Sequence, residues 1–526
     1  MPLMSVTHYY YNTIYHMKRN RKYLLLGALV SVASVAYAQD SYDAQNIVNS
    51  DLNGTARFVA MGGALGALGG DISVMSTNPA GTGMYRKSDV SLSLSGLFTS
   101  KSAMGHDKAR MSLDQGGVII AFDMDNPSSQ GLQFVNFGVN YQKKRNYLSN
   151  QLTDVKYLDG VFSQTYQLAD MANWAMGDAR RAGYAYDEWF GTMLKLATAE
   201  DNTVLVDAVD ADGEKIRDDY DNALYNGVGA HSAYFEKATF GGNIQADINV
   251  SFNVSDKFFF GGSVGVYDIE YDRESFYREV DGNGNSYDFT NWYKTNGDGF
   301  DVKLGFICRP IEDSPFRFGV SVHTPIWYRL TDSNGGTLYY NDDRIGYLEN
   351  GEYDYNFRTP WKFSASIGHT IGNKFAIGAE YEFQDLSTAK YSEVGNHESD
   401  YFRNTNKITQ ETLRGQHTLK VGVEFKPIEA LSLRAGYNFV SSPFKKNAFR
   451  TIGYDGIYTE TDYTNWGATN RFTVGLGYRY KGGYFDLAWQ YQAQKGDFYA
   501  FDDENLKATS IKNNRSQLMA TAGFRF

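Results

Sequence analysis

Polar and apolar residues alternate with a period of two through most of the chain after residue 88. From Ile244 to Val254 every second residue is apolar, and the residues between them are Gln, Asp, Asn and Ser without interruption. Side chains of a β-strand point alternately to its two sides, so this pattern indicates a strand between an apolar and a polar environment. The pattern recurs often enough to predict about 14 strands. The last of them ends on the C-terminal residue, Phe526.

The connections between these strands alternate in length. Short turns are predicted at 255–257, 310–314, 372–374, 427–430 and 481–483. Long polar connections are predicted at 99–116, 142–239, 272–298, 331–355, 388–416, 442–469 and 495–512. Short turns at one end and long loops at the other are typical of outer-membrane barrels, and strands in lipid must close because lipid offers their backbone no partners. The sequence therefore predicts an all-β fold, a transmembrane antiparallel β-barrel over residues 88–526, with both chain ends at the short-turn end.

Residues 39–87 precede the first strand and do not alternate. Their central part, Arg57 to Gly81, is rich in Gly and small residues and ends on Asn-Pro-Ala-Gly. A barrel of about 14 strands is too wide for its own side chains to fill. Its lumen must therefore be either open or filled by another segment. Residues 39–87 are a sizeable segment before the first strand, and we expect them to form an N-terminal plug, or hatch, inside the lumen. Its glycines, Gly62 and Gly63 among them, allow either movement of the plug or tight packing.

The 142–239 connection differs from the other loops because residues 164–200 carry apolar side chains at helical spacing. It is predicted to be a partly helical extracellular insert. Such an insert could gather hydrophobic ligands at the mouth of the barrel, or it could simply pack there.

The N-terminus has the features of an export signal. Residues 17–22 are basic, residues 23–35 are apolar, and Ala36-Tyr37-Ala38 has the form of a cleavage site. Residues 1–38 are therefore predicted to be a signal peptide, of which residues 1–16 are an upstream extension.

Composition narrows the classes of function. The chain has 53 Gly, 40 Tyr, 34 Phe and only 9 Pro, which suits a large β-structure. A net charge of −11 argues against a nucleic-acid partner, since phosphate binding needs a basic surface. A single cysteine, Cys308, excludes an internal disulfide and a zinc site built from several cysteines. The histidines are scattered and no H-E-x-x-H motif occurs, so we expect no enzyme and assign no catalytic residue, metal or cofactor.

Short motifs in the plug carry a family resemblance. Ala60-Met61-Gly62-Gly63-Ala64, Asp71 and Asn78-Pro79-Ala80-Gly81 precede the first strand. Together with His323-Thr324-Pro325, Leu433-Arg434-Ala435-Gly436-Tyr437 and the aromatic C-terminus, they resemble the FadL-type transporters of long-chain fatty acids and other hydrophobic compounds. The large 142–239 insert departs from that family.

The resemblance implies a barrel in the outer membrane of a Gram-negative bacterium, closed by a hatch that contains the Asn-Pro-Ala motif. It implies passive transport of hydrophobic small molecules without a cofactor. The plug residues that it singles out are Gly62, Gly63, Asp71, Asn78, Pro79 and Ala80.

Basic residues whose strand position points them into the lumen could attract a ligand carboxylate. Alternatively, they could pair with acidic residues of the lumen. These residues are Lys303, Arg317, Lys362, Lys420, Arg434, Arg471 and Arg479.

Two other functions stay open at this point. One is a receptor that binds haem, with His323 as an axial ligand, or binds another surface ligand through the large loops. The other is a membrane enzyme of the phospholipase type. The expected partners are the outer-membrane bilayer, a hydrophobic small molecule, and the barrel-assembly machinery acting on Phe526.

Overall fold

The wall of the protein is one antiparallel sheet that closes on itself, seen here in a computed structural model. The structure describes residues 39–128, 130–170, 173, 204–219, 221, 223–311, 313–395, 397–446, 448, 461–503 and 505–526. In these ranges no helix is long and apolar enough to span a membrane.

The helices are short. They are α1 (Ser41–Val48), α2 (Ala56–Ala60) and α3 (Asp400–Thr412), with 3₁₀ turns at Ile72–Ser76, Pro79–Met84 and Leu386–Thr388. Residues 164–170 are also helical. The strands are β1 (Asp89–Thr99), β2 (Ala109–Asp123), β3 (Leu132–Asn146), β4 (Ser149–Val155), β5 (Val206–Asp207), β6 (Tyr225–Asn226), β7 (Ala230–Val254), β8 (Phe258–Asp281), β9 (Ser286–Cys308), β10 (Arg317–His323), β11 (Trp327–Tyr340), β12 (Asp343–Arg358), β13 (Lys362–Ile371), β14 (Phe375–Asp385), β15 (Lys390–Glu393), β16 (Gly415–Ile428), β17 (Leu431–Val440), β18 (Tyr463–Tyr480), β19 (Gly483–Tyr499), β20 (Thr509–Lys512) and β21 (Arg515–Arg525).

Fourteen strands of the described chain form a ring in which each pairs antiparallel with the next. In order around the ring they are β1, β2, β3, β7, β8, β9, β10, β13, β14, β16, β17, β18, β19 and β21. The ring closes because β21 pairs with β1, from Asp89 opposite Arg525 to Thr99 opposite Arg515. The predicted 14-stranded barrel is confirmed.

Burial in the wall is the reverse of burial in a water-soluble protein. On β7, Asp247 is 0 % exposed whereas its neighbour Ile248 is 65 % exposed. The polar side chains point into the lumen and the apolar ones point outward, as a wall surrounded by lipid requires.

The two ends of the barrel differ. At the lower end, short turns join the strands, and at the upper end the strands continue well beyond the apolar outer band. The prediction that residues 272–298 and 331–355 are loops is wrong, because most of these residues belong to two long hairpins, β8–β9 and β11–β12. Above the lipid the outward positions hold residues such as Asp272 and Glu274, so the hydropathy pattern disappears while the hydrogen-bond ladder continues.

The insert between β3 and β7 is shorter than the predicted range 142–239. β3 runs to Asn146, β4 pairs with β7, and β7 itself begins at Ala230. The predicted helix is present at residues 164–170 and 173, while 171–172 and 174–200 lie outside the described residues.

The N-terminal segment threads the lumen from the upper end to the lower end. Gln39 Nε2 donates to Asp332 Oδ2 on the upper hairpin at 2.7 Å, and Tyr391 donates to the Asp40 carbonyl at 2.8 Å. The segment reaches β1 at the lower end. The prediction that both chain ends lie at the lower end is therefore wrong for residue 39. An even number of strands places the start of the first strand and the finish of the last strand at the same side of the membrane. It does not determine where a segment that runs through the lumen begins.

An arginine on the outer band should destabilise the barrel. Ile248→Arg would place a charge against lipid and is expected to lower the free energy of unfolding by about 2–4 kcal/mol. Val206→Arg is the matched control, since Val206 is an exposed apolar residue of the insert, above the lipid. Urea unfolding in lipid vesicles measures both, and an equal loss in the two variants would contradict the assigned lipid face.

Candidate functional site

The backbone of the plug packs directly against the backbone of the wall. α2 begins at Thr55, whose hydroxyl accepts from Phe58 N at 3.1 Å, and ends before Gly62 and Gly63, which have φ of +62° and +79°. A Cβ at Gly62 would lie 2.9 Å from the Tyr437 backbone. These glycines therefore provide a left-handed turn and a close approach to the wall.

Glycines of the wall complete this contact. A Cβ at Gly422 would collide with the Met61 carbonyl, and one at Gly436 would collide with Gly62 N. Sequence reasoning missed these wall positions. Their signal is a glycine at a lumen-facing position in an otherwise regular strand.

The Asn-Pro-Ala motif is both a turn and a contact with the wall. Asn78 Oδ1 accepts from Ala80 N at 3.2 Å, and Asn78 Nδ2 donates to the Gly66 carbonyl at 3.1 Å. A Cβ at Gly305 would collide with Asn78 Oδ1. Pro79 begins the 3₁₀ turn, and its carbonyl accepts from Thr82 Oγ1 at 2.7 Å.

Ala80 is fully buried and packs in a cluster with Phe259 and Ile307 of the wall. Asp71 caps the preceding 3₁₀ turn, accepting from Ser73 N at 3.0 Å and from Thr55 Oγ1 at 2.9 Å. The motif residues thus hold the plug in place against the wall, and a role for them in transport stays a prediction.

A buried ionic network ties the plug to the wall near the lower end. Glu424 Oε2 accepts from Arg57 Nε of the plug at 3.2 Å and from Arg434 Nε of the wall at 2.6 Å. Arg434 also reaches Asp486 Oδ1 at 2.5 Å. Burial lowers the pKa of Arg57, but Glu424 and Asp71 outweigh it and raise that pKa above its ordinary value. Removing Glu424 would take away the carboxylate that joins Arg57 of the plug to Arg434 of the wall.

Most of the seven predicted lumen cations pair with acidic residues. Among the described residues, only Arg317 and Arg479 have no carboxylate within 4.0 Å. The pairs are Lys303 with Asp247 and Asp301, Lys362 with Glu382, Lys420 with Glu380 and Glu382, Arg434 with Glu424 and Asp486, and Arg471 with Asp51. Ligand binding by any of the seven stays a prediction.

Above the plug lies a polar cavity of about 210 Å³, which we call the upper cavity. In the described chain its lining carries eight Lys or Arg and three Asp or Glu residues. Two of these cations, Lys144 and Arg145, have no carboxylate partner among the described residues. Lys144 Nζ instead lies 5.2 Å from the centre of the Tyr267 ring, and Arg145 donates to the Asn46 carbonyl. The upper cavity is therefore electropositive.

Sequence reasoning misses Lys144 and Arg145 because the predicted strand ends before them and residues 142–239 are predicted to be a connection. Lys144 keeps the parity of the lumen-facing Asn140 and Gln142. At Arg145 a bulge inserts an extra residue and breaks the alternation, so this side chain also lines the cavity. The available signal was three consecutive basic residues at the end of a strand.

The same bulge borders a gap in the wall. β2 and β3 pair only as far as Gln115 and Gln142, although both strands continue upward. Asn53 of the plug spans this gap, since its Nδ2 donates to Asp114 Oδ1 of β2 at 3.0 Å and to the Lys143 carbonyl of β3 at 3.1 Å. A plug residue therefore seals the seam between two wall strands.

The alternative functions gain no support from the described residues. His323 Nε2 lies 2.7 Å from the Thr77 carbonyl of the plug, so haem ligation would have to break a buried hydrogen bond. The described ranges contain no group of three or more His, Cys, Asp or Glu residues that could hold a metal ion. Residues 261–265 have the G-x-S-x-G spacing of a hydrolase, but they lie within β8 rather than at a strand-to-helix turn, and Ser263 accepts from Asn249 Nδ2 at 2.9 Å.

No protein-family profile and no curated protein matches this sequence. Among solved structures, a Pseudomonas aeruginosa FadL homologue is 14 % identical with a TM-score of 0.48, covering 91 % of this chain and 99 % of that one. The Pseudomonas putida toluene transporter TodX is 11 % identical with a TM-score of 0.47, covering 91 % and 99 %. The Ralstonia pickettii toluene transporter TbuX is 13 % identical with a TM-score of 0.44, covering 90 % and 99 %. The closed barrel is established by the strand pairing of this chain.

Glu424→Gln should loosen the plug. It removes the carboxylate that Arg57 and Arg434 share, so among the described carboxylates Arg57 keeps only Asp71 at 3.9 Å and Arg434 keeps only Asp486 at 2.5 Å. Loss of these charged hydrogen bonds is expected to cost about 1.5–3 kcal/mol of unfolding free energy. Hydrogen exchange at residues 56–63 should rise at the same time, because α2 loses its tie to the wall.

The control is Asp354→Asn, which removes the exposed pair with Arg329 at 3.9 Å and should cost less than about 1 kcal/mol. Unchanged exchange at residues 56–63 in the Glu424 variant would show that the network does not hold the plug.

Proposed function

We propose that this chain is a passive transporter in the outer membrane of a Gram-negative bacterium, carrying hydrophobic small molecules such as long-chain fatty acids. The observation that carries the proposal is a closed barrel with an apolar outer face whose lumen is filled by a plug, with a polar cavity above it. The plug motifs and their FadL-type resemblance support the same ligand class. No catalytic step is part of the proposal.

The chemistry of the upper cavity suits an amphipathic ligand. Its wall is mainly polar and basic, which favours an anionic head group, but Phe58, Ile326 and Trp466 also line it and offer apolar surface. Its volume of about 210 Å³ is below the roughly 300–1,000 Å³ of ordinary ligand pockets. The cavity therefore suits the head of a long molecule, and passage of the rest needs a movement of the plug or the wall.

The seam between β2 and β3 supports a route through the wall. Above the last ladder pair, Gln115 and Gln142, the Asn53 amide bridges the two strands. Met111 and Leu113 of β2 are exposed on the outer side of this seam, so a ligand leaving there would meet apolar surface. We infer that displacement of Asn53 lets a ligand pass from the upper cavity into the bilayer.

The partners in the proposal are the lipid bilayer and the hydrophobic ligand. Recognition of Phe526 by the barrel-assembly machinery belongs to it as well. Phe526 N donates to the Ser88 carbonyl at 3.0 Å, and its side chain is exposed at the lower end.

Lys144→Gln tests the assignment of the upper cavity. Loss of an unpaired cation should weaken palmitate binding about tenfold or more, while binding of the uncharged methyl ester stays the same. Titration calorimetry of the protein in mild detergent measures both ligands. Lys143→Gln is the matched control, because its side chain does not line the cavity. Equal palmitate affinity in the two variants would contradict a role for Lys144.

Cross-linking across the seam tests the exit route. In a Cys308→Ser background, Leu113→Cys with Lys143→Cys places thiols on the two strands of the seam, at outward positions. A short cleavable cross-linker should stop uptake of labelled palmitate into vesicles, and cleavage should restore it.

The control is Leu94→Cys with Leu113→Cys, a ladder pair of β1 and β2 on the other side of β2. Cross-linking there should leave uptake unchanged. Undiminished uptake after cross-linking the seam would favour a route through the plug instead.

A further inference from the structure

A second cavity, of about 420 Å³, lies beneath the plug at the lower end of the barrel, and we call it the lower vestibule. Its described lining is strongly basic, with seven Arg or Lys residues against two acidic ones. The basic residues are Arg57, Arg86, Arg309, Arg317, Lys426, Arg479 and Arg525, and the acidic residues are Asp256 and Glu424.

Four of these cations have carboxylate partners. Arg86 pairs with Asp256 at 2.7 Å, and Arg525 pairs with Asp89 at 3.1 Å. Glu424 lies 3.2 Å from Arg57 and 3.7 Å from Lys426. Both acidic residues of the lining are therefore already engaged.

The other three cations, Arg309, Arg317 and Arg479, have no carboxylate within 4.0 Å among the described residues. The Nε atom of each is buried and has no hydrogen-bond partner there. Arg309 lies over the Phe259 ring at 5.8 Å, and Arg479 lies over the Tyr484 ring at 5.8 Å. Arg317 Nη1 donates to the Leu68 carbonyl at 2.7 Å.

Three half-buried arginines, each with a buried Nε–H group that has no partner among the described residues, around one cavity form an unusual arrangement. Buried donors are nearly always paired, and like charges in one cavity repel each other. An oxyanion in the vestibule would remove both costs, because guanidinium groups bind carboxylate and phosphate oxygens through two parallel hydrogen bonds. Leu68, Met84 and Phe259 line the same cavity and leave room for a short apolar group beside the anion.

We propose that the lower vestibule binds a small molecule through its carboxylate or phosphate group, held by Arg309, Arg317 and Arg479. This site lies on the opposite side of the plug from the upper cavity, and binding there does not depend on the transport function. The site also touches the base of the plug. Arg317 donates to the Leu68 carbonyl, and Arg57 and Arg525 donate to the Gly70 carbonyl at 3.0 and 3.2 Å. A bound anion would compete with these carbonyls for the guanidinium groups.

The test uses the full chain in mild detergent and a low-salt buffer, titrated separately with inorganic phosphate and with octanoate. We expect one saturable site for at least one of them, and the two arms show whether phosphate or carboxylate is the preferred group. The double variant Arg309→Gln with Arg479→Gln should weaken that binding about tenfold or more. The matched control is Arg329→Gln with Arg403→Gln, which removes the same charge from exposed positions of the upper end and should leave the affinity unchanged.

Two results would overturn the proposal. One is the absence of saturable binding of either anion, and the other is an equal loss of affinity in both double variants, which would indicate general charge attraction. If the vestibule variant does not fold, arginine modification of the unmutated protein replaces it. The bound anion should then protect Arg309, Arg317 and Arg479 from phenylglyoxal, as read by mass spectrometry, and equal modification with and without the anion would also overturn the proposal. Neither readout uses uptake, so a failure here is separate from a failure of the transport function.

Discussion

The pairing of β21 with β1 is the constraint on which the rest of the structure depends. Lipid offers no partner to a free backbone N–H or C=O, so the sheet is stable in a bilayer only when its first and last strands meet. Closing fourteen strands leaves a lumen that side chains alone cannot fill. The plug fills that lumen here, and the apolar side chains of the wall, which would form the core of a soluble protein, face outward. Within the barrel the plug packs against the polar inner face, and the core also includes two large apolar clusters, one around Phe235 and Tyr277 and one around Tyr355 and Phe402.

The plug is held against the wall more by close approach of the two backbones and by ion pairs than by burial of apolar side chains. Lumen-facing glycines such as Gly422 and Gly436 bring the plug against the wall backbone, where any larger residue would collide. The Glu424 network then fixes the plug near the lower end, where Arg434 is completely buried. Buried ion pairs give modest net stability but a large penalty when one partner is removed. Such a contact holds the plug in one position and makes any displacement depend on an alternative partner for each charge.

The sequence predicts the structure to different extents for strands that face lipid, for strands above the lipid and for residues that long-range contacts position. Lipid forces alternation on the wall, so strands such as Ile244–Val254 and the closure at Phe526 could be recognised from pattern alone. Above the lipid that force is absent, and the pattern predicts a loop where the β8–β9 hairpin lies. The position of Gln39 depends on long-range contacts with Asp332 and Tyr401, which leave no local pattern. Arg145 escapes prediction for a third reason, since a bulge between Lys143 and Arg145 turns its side chain to the lumen against the period-two count.

The charges on the two sides of the plug bear on the proposed passive transport. Cations without carboxylate partners occur above the plug at Lys144 and Arg145 and below it at Arg309, Arg317 and Arg479, within the described residues. Arg57 and Phe58 are neighbours on α2, yet they line opposite cavities, so only a thin layer of plug separates the two. An anionic group would then find similar attraction on either side. In passive transport the concentration gradient sets the direction of net movement whatever the affinities of the sites. A much tighter site on one side would slow release of the ligand there, whereas two sites of similar attraction let it pass at similar rates in both directions.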